Sequence, residues 1–186
     1  MNKFQSNQLF LYIISIIVLF AIPISTIIIS SNTLKNGTEF LFKVEAYDPY
    51  DMFRGNYLNI SFEEDTATYI PTSNNYGDKI KYEKKECYVT IKKNKNGFAY
   101  FDTASLTKPI NTSNYYKTTG YYRNEENLYE IDTPTRYYMN ENKSEKAEQL
   151  YRENLDNIYV KVRVKNGKMV LVGVYVNNVL IDSVDM

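Results

Sequence analysis

Histidine is absent from all 186 residues, and cysteine occurs once, at Cys87. That removes Ser-His-Asp and Cys-His catalysis, imidazole-bearing zinc sites and histidine pH switches together. A thiolate metal centre needs more sulfur than one residue supplies, so neither a metal nor a cofactor is expected. Cys87 is flanked by Tyr88, Val89 and Ile91, a strand-like setting that favours a buried thiol over a nucleophile. Carboxylates, amines, hydroxyls and phenols remain. Glu141 and Glu148 have the residue types of a glycoside-cleaving acid pair, but on a helix and its approach they read as surface charge. The acid runs Glu63-Glu64-Asp65 and Glu125-Glu126 lack the spacing of a calcium loop and read as solvated.

The candidates concentrate between Asp48 and Phe62. Asp48-Pro49 makes a turn, Gly55 permits a backbone geometry that a Cβ would forbid, and Tyr57 opens a returning strand. Asp48, Asp51 and Arg54 are close enough in sequence to pair across that turn. One reading is a structural latch; the sharper one is a binding lip formed by Asp51, Arg54 and Tyr57. Asn56 carries an amide, which does not serve as a general base. Tyr138 and Glu141, in the run Arg136-Tyr-Tyr-Met-Asn-Glu141, complete the candidate set. The doublets Tyr115-Tyr116, Tyr121-Tyr122 and Tyr137-Tyr138 offer a ligand platform, although strand alternation alone puts one ring of each in the core and one outside.

These residues need a scaffold, and its first part is unmistakable. From Leu9 to Ile29 no residue is charged, and Leu, Ile, Val and Phe dominate. About 20 such residues, as a helix, cross a hydrocarbon core of about 30 Å. Pro23 is expected to kink this helix, with Ser25 or Thr26 serving the freed carbonyls. The expected organisation is a cytoplasmic tail at 1–8, a transmembrane helix at 9–30, a linker at 31–37 and an extracytoplasmic domain at 38–186. Lysines flank the span almost evenly, Lys3 before it and Lys35 and Lys43 after it, so the orientation rests on size: the short tail is expected inside and the large domain exported. A cleaved signal peptide has a shorter apolar core than this one, but the Ser30-Ser31 pair offers a weak cleavage site and keeps that alternative open.

The net formal charge is zero, so the phosphate-neutralising excess of a nucleic-acid binder is missing. The domain reads as strands. Phe40, Phe42 and Val44 alternate with Leu41, Lys43 and Glu45, and Leu58, Ile60 and Phe62 face away from Tyr57, Asn59 and Ser61. Two hairpins are expected, one across Asn94-Lys-Asn-Gly97 and one across Asn166-Gly167. In the second, Val164 should meet Met169, Val162 should meet Leu171, and Val160 should meet Gly173. One helix, from Lys143 to Leu155, has a capping pattern at Asn142 and an apolar stripe to lay on the sheet. The class is mainly β or α+β: an N-terminal transmembrane helix, then an antiparallel β-rich domain with a single packed helix.

The stretch Gly55-Asn-Tyr57, Ile60, Phe62 resembles the bacterial GDYXXLXY family, in which Gly-Asp-Tyr is followed by Leu and Tyr at those spacings. Gly55 and Tyr57 are identical to the pattern; Asn56, Ile60 and Phe62 replace its Asp, Leu and Tyr. The hairpin around Asn96-Gly97-Phe98, the segment from Arg136 to Glu141 and the terminal strand pair are similar to the family as well. The resemblance implies a membrane-anchored bacterial protein, with a multi-pass membrane protein as the expected partner besides lipid, and it implies no reaction. Type I signal peptidases also share an anchor and a β-rich exported domain. Ser61 with Lys79 or Lys81 is the nearest set by type, but no Ser-Met-Pro follows the anchor. A signal-peptidase-like or other envelope hydrolase is therefore the alternative, and association is the leading expectation.

Overall fold

The computed structural model describes residues 3–45, 57–71, 84–123, 127–139, 143, 149–150, 154 and 157–183. Helix α1, Lys3–Asn36, is 34 residues long, or about 51 Å at 1.5 Å per residue. The hydroxyls of Ser25 and Thr26 both donate to Ile22 O, at 2.7 and 3.1 Å. The carbonyl that Pro23 leaves without an amide is that of Leu19, so these hydroxyls do not serve it. Residues 31–36, expected as a linker, continue the helix. They are helical because the last turn has partners: Thr33 is 2 % exposed, Gly37 N closes onto Thr33 O at 2.8 Å, and Arg163 Nη1 donates to Leu34 O. The cationic Arg163 also complements the negative end of the helix dipole.

Among the described residues twelve strands follow: β1 (Thr38–Glu45), β2 (Tyr57–Asn59), β3 (Ser61–Phe62), β4 (Thr66–Tyr69), β5 (Lys85–Lys93), β6 (Ala99–Ser105), β7 (Tyr115–Arg123), β8 (Leu128–Ile131), β9 (Arg136–Tyr138), β10 (Ile158–Lys165), β11 (Lys168–Val176) and β12 (Val179–Leu180). They form a sheet in the order β12-β11-β10-β1-β3, a ribbon β2-β9, and a closed barrel β4-β6-β5-β7-β8. Among the described residues, every strand-to-strand pairing is antiparallel except β4 with β6. The expected antiparallel β-rich domain behind an apolar helix is therefore observed. The expected helix from Lys143 to Leu155 falls largely outside the described residues; Leu150 packs against the core.

Sheet and barrel share one core. Phe42 on β1 stacks on Phe101 of β6 at 4.8 Å and meets Phe62 of β3 edge-on at 5.3 Å. Alternation puts Phe40, Phe42 and Val44 inside, and likewise Leu58, Ile60 and Phe62, as the period-two reading requires. The run from Tyr57 to Phe62 is nonetheless two strands. β2 pairs with β9 and β3 with β1, so the chain changes sheet at Ile60.

The turn residues behave as their types dictate. Asn166 and Gly167 take φ of 48° and 89°, the positive pair that a tight hairpin requires. Asn177 and Asn178, at 49° and 66°, make a further hairpin into β12. The β10–β11 register begins as expected, with Val164 opposite Met169 and Val162 opposite Leu171. It then shifts between Val162 and Lys161, so that Lys161 meets Gly173 and Val160 meets Val174 rather than Gly173. An extra residue at Val172 flips the phase of β11: Met169 is buried before it, Val174 and Val176 after it. A bulge of this kind is invisible to a count outward from the turn.

Candidate functional site

The ribbon β2–β9 begins where the Gly55-Asn56-Tyr57 pattern ends. Tyr57 lies opposite Tyr138, Leu58 opposite Tyr137 and Asn59 opposite Arg136. Because side chains alternate across a strand, Leu58 and Tyr137 go into the core. Tyr57, Tyr138 and Arg136 share the other face. The two outer rings sit 5.8 Å apart at 55°, and the Arg136 guanidinium carbon stands 5.1 Å from the Tyr57 ring. Tyr138 is 67 % exposed. Beside this face, Asn59, Ile60, Ser61 and Thr135 line an open recess of about 290 Å³. Its wall is pinned by Ile60 N donating to Thr135 O at 2.8 Å.

The inner side of the ribbon is tied down. Tyr137 OH donates to Asp182 Oδ2 at 2.5 Å, and Lys143 Nζ donates to Asp182 O at 2.6 Å. Burial, then the Asp182 bond, pushes the Tyr137 phenol well above its ordinary value, so it stays protonated as a donor. Tyr137 thereby fixes the strand that presents Tyr138 outward.

Chemically, the face offers two phenol rings, one delocalised cation and a neighbouring amide and hydroxyl. That set recognises planar, aromatic or anionic groups. A second recess of about 220 Å³ lies at the sheet–barrel junction, lined by Phe42, Lys43, Glu63, Glu64, Phe98 and Tyr100 among others. Its charges are solvated: Lys43 and Glu63 are both about half exposed at 3.9 Å. Among the described residues, no three of His, Cys, Asp and Glu are grouped to hold a metal ion.

Of the residues singled out in the sequence, Tyr57 and Tyr138 are brought into direct register. Asp48, Asp51, Arg54, Gly55, Asn56 and Glu141 lie outside the described residues, as do Lys79, Lys81 and Glu148. Ser61 is on β3, bordering the recess. The sequence reading missed Arg136 and Asn59 as members of the face, and Asp182 as the support of Tyr137. Arg136 stood in the quoted run beside the tyrosines, but nothing in the sequence paired that run with Tyr57. In each doublet one ring packs on the core side of its strand, Tyr116, Tyr122 and Tyr137, while Tyr121 and Tyr138 are exposed and Tyr115 is buried on the opposite face beside Gly167.

Cys87 is 0 % exposed, and burial, aided by Asp132 and Glu86, pushes its thiol up to about 12. The buried-thiol reading is the observed one. Native protein at pH 8 is therefore expected to resist iodoacetamide, with about a thousandfold less thiolate than an ordinary cysteine. Unfolding in urea should expose one reactive thiol. Because the folded state holds this proton more tightly, its contribution to stability is full below the ordinary value of 9.0 and fades as pH rises toward about 12. Rapid native alkylation, followed by mass spectrometry, would contradict this.

An N-terminal apolar helix joined to an antiparallel β-rich domain defines the class of protein. The model of one family, described as GDYXXLXY protein, matches residues 19–174, and the chain belongs to the GDYXXLXY family. No curated protein and no solved structure matches it. Two family positions have a physical role here: Ile60 and Phe62 are both buried, the second against Phe42 and Phe101.

Proposed function

We propose that this is a single-pass membrane protein whose β-rich domain lies outside the cytoplasm and acts by association. The ribbon face of Tyr57, Arg136 and Tyr138 is its contact surface, and a multi-pass membrane protein or an envelope ligand is what it meets. One observation carries the reading. Helix α1 contains an apolar span, Phe10–Asn36, whose most apolar window has a mean hydropathy of 2.7, and none of that window is buried in the protein. An uncharged helix so exposed requires an apolar solvent, and about 20 residues suffice to cross one. A signal sequence has the same hydropathy, but the end of α1 is a working part of the domain. Removing the helix at Ser30-Ser31 would cut it one turn from the buried Thr33 and the Leu34 carbonyl held by Arg163.

Membrane fractionation with mass measurement tests this. The chain is expected at its full mass, in the alkaline-carbonate pellet, with its domain open to protease added to spheroplasts. Recovery in the soluble fraction, or at the mass of a processed chain, would end the reading. For the contact surface, a photocrosslinker in place of Tyr138 should give one discrete adduct. Tyr57→Ala should lower its yield about tenfold, as removing a central aromatic anchor does, with the domain still folded. Equal adducts from a crosslinker at Thr118, on the barrel, would show that the ribbon is not the contact. The hydrolase alternative has no observation in its favour: Ser61 is described, while Lys79, Lys81 and Glu141 are not.

A further inference from the structure

The end of α1 lies along the sheet, and the contacts give its direction. Arg163 reaches the Leu34 carbonyl, and Lys165 Nζ reaches Asn32 Oδ1 at 3.4 Å. From Arg163 to Lys165 the strand advances toward its turn; from Leu34 to Asn32 the helix steps back toward its apolar segment. β10 therefore runs antiparallel to α1, and the turn at Asn166-Gly167 points the way the apolar helix leaves. At about 1.5 Å per residue, Asn32 is only about 4.5 Å along the axis from Ile29, the last residue of the uncharged run. The turn lies closer still, at the depth of a headgroup layer.

A loop, residues 106–114, is fastened to this turn at its C-terminal end. Asn166 N donates to Ser113 O at 3.0 Å, and Gly167 N donates to Tyr115 O at 3.0 Å. The Tyr115 ring flanks Gly167 so closely that a Cβ there would stand 3.0 Å from Cε2. Lys108 Nζ sits over the same ring at 5.9 Å. Between Lys108 and Ser113, Ile110 is 94 % exposed, more than any described apolar residue of α1 itself. A single exposed apolar side chain is ordinary on a protein surface. This one occupies the end from which a membrane-spanning helix departs. The segments that meet at this end carry charge of one sign: residues 30–37, 106–114 and 164–169 hold Lys35, Lys108, Lys165 and Lys168 and no Asp or Glu, in a chain of zero net charge, and Glu86, brought near the turn by Lys117, is neutralised by that lysine at 2.9 Å.

We propose that the β10–β11 turn and the 106–114 loop form a lipid-docking edge, with the four lysines on the phosphates of anionic lipids and Ile110 inserted at the acyl boundary. This matches the physics of interfacial anchors, in which an apolar residue enters the headgroup boundary while flanking cations hold the surface. It rests on α1 spanning the membrane, and it adds that the domain lies against the bilayer and is not held off it. The ribbon face is thereby presented at a set angle to the lipid plane.

The test uses the full chain in vesicles of phosphatidylcholine with phosphatidylglycerol. Cys87 is buried, so an environment-sensitive fluorophore can be placed at Ile110→Cys or, as a control, at Lys95→Cys. Lys95 is exposed in the β5–β6 turn, next to Phe98, which touches Tyr159 at the far start of β10. Shallow doxyl-labelled lipid is expected to quench the probe at 110 at least threefold more than the probe at 95. Neutralising Lys108, Lys165 and Lys168 to Gln should reduce that difference, as should replacing phosphatidylglycerol with phosphatidylcholine. If the chain is carbonate-resistant but both probes stay equally accessible to aqueous iodide, the docking edge is wrong and the anchor stands. If the chain is carbonate-extractable, the anchor itself is wrong. If position 110 is shielded from iodide in native membranes but not in vesicles, a protein covers it, and the lipid assignment falls.

Discussion

Phe42→Ala is expected to unfold most of the domain under conditions in which the parent chain is folded. Phe42 is 2 % exposed and touches both neighbours that join the sheet to the barrel, Phe101 at 4.8 Å and Phe62 at 5.3 Å. Removing such a ring forfeits its transfer free energy and leaves a void that strands on three sides cannot collapse to fill. Substitutions of this kind cost about 3–5 kcal/mol, against a total stability of about 5–15 kcal/mol for a domain. Urea unfolding of the detergent-solubilised chain, followed by circular dichroism, reads the effect as a lower midpoint at unchanged slope. Phe98→Ala, whose ring lies at the rim against Tyr159 and Lys43, should shift the midpoint far less. Equal shifts for the two would mean that the seam is not where the stability lies.

Gly37→Ala is expected to be nearly as severe, although it adds a single methyl. An added Cβ would stand 2.4 Å from Thr33 O, 3.1 Å from Val164 O and 3.2 Å from Arg163 Cβ. Two of these are backbone atoms, and Thr33 O is also the acceptor that Gly37 N needs to close α1. Relief requires the helix end and β10 to separate. Overpacking of this sort costs about 1–3 kcal/mol, occasionally more. Hydrogen exchange should show the Gly37 amide and the first residues of β1 losing protection ahead of the barrel. Parent-like protection there would mean that α1 is joined to the sheet by something other than this close approach.

Much of the architecture could be read from spacing, and the exceptions have physical causes. Period-two burial at Phe40-Phe42-Val44 and Leu58-Ile60-Phe62, and the Asn166-Gly167 turn, depend on neighbours in sequence, so they were legible. The β10–β11 register beyond Val162 was not, because an extra residue at Val172 alters pairing without altering composition. Thr66–Tyr69 was not recognised as a strand: four residues that pair parallel with β6 carry no hairpin signal. Residues 31–36 looked like a polar linker, yet they are helical because Arg163 and Gly37, distant or small, hold them so. The site was legible by half. Tyr57 and Tyr138 were each named, but their juxtaposition comes from long-range pairing of β2 with β9, which no local pattern reports. The remaining named residues of that set fall outside the described residues.

The edges of the folded domain bear on how copies behave side by side. The barrel is closed, so its strands present no open row of amides and carbonyls. The sheet ends in β12 and β3, two residues each, which pair only with Tyr175-Val176 of β11 and Val44-Glu45 of β1. Unpaired strands are where chains zip together, so closure of the barrel confines that exposure to the sheet. Molecules confined to a thin layer collide often, and on the barrel side those collisions find little backbone to grip, which leaves association there to side chains rather than to main-chain ladders.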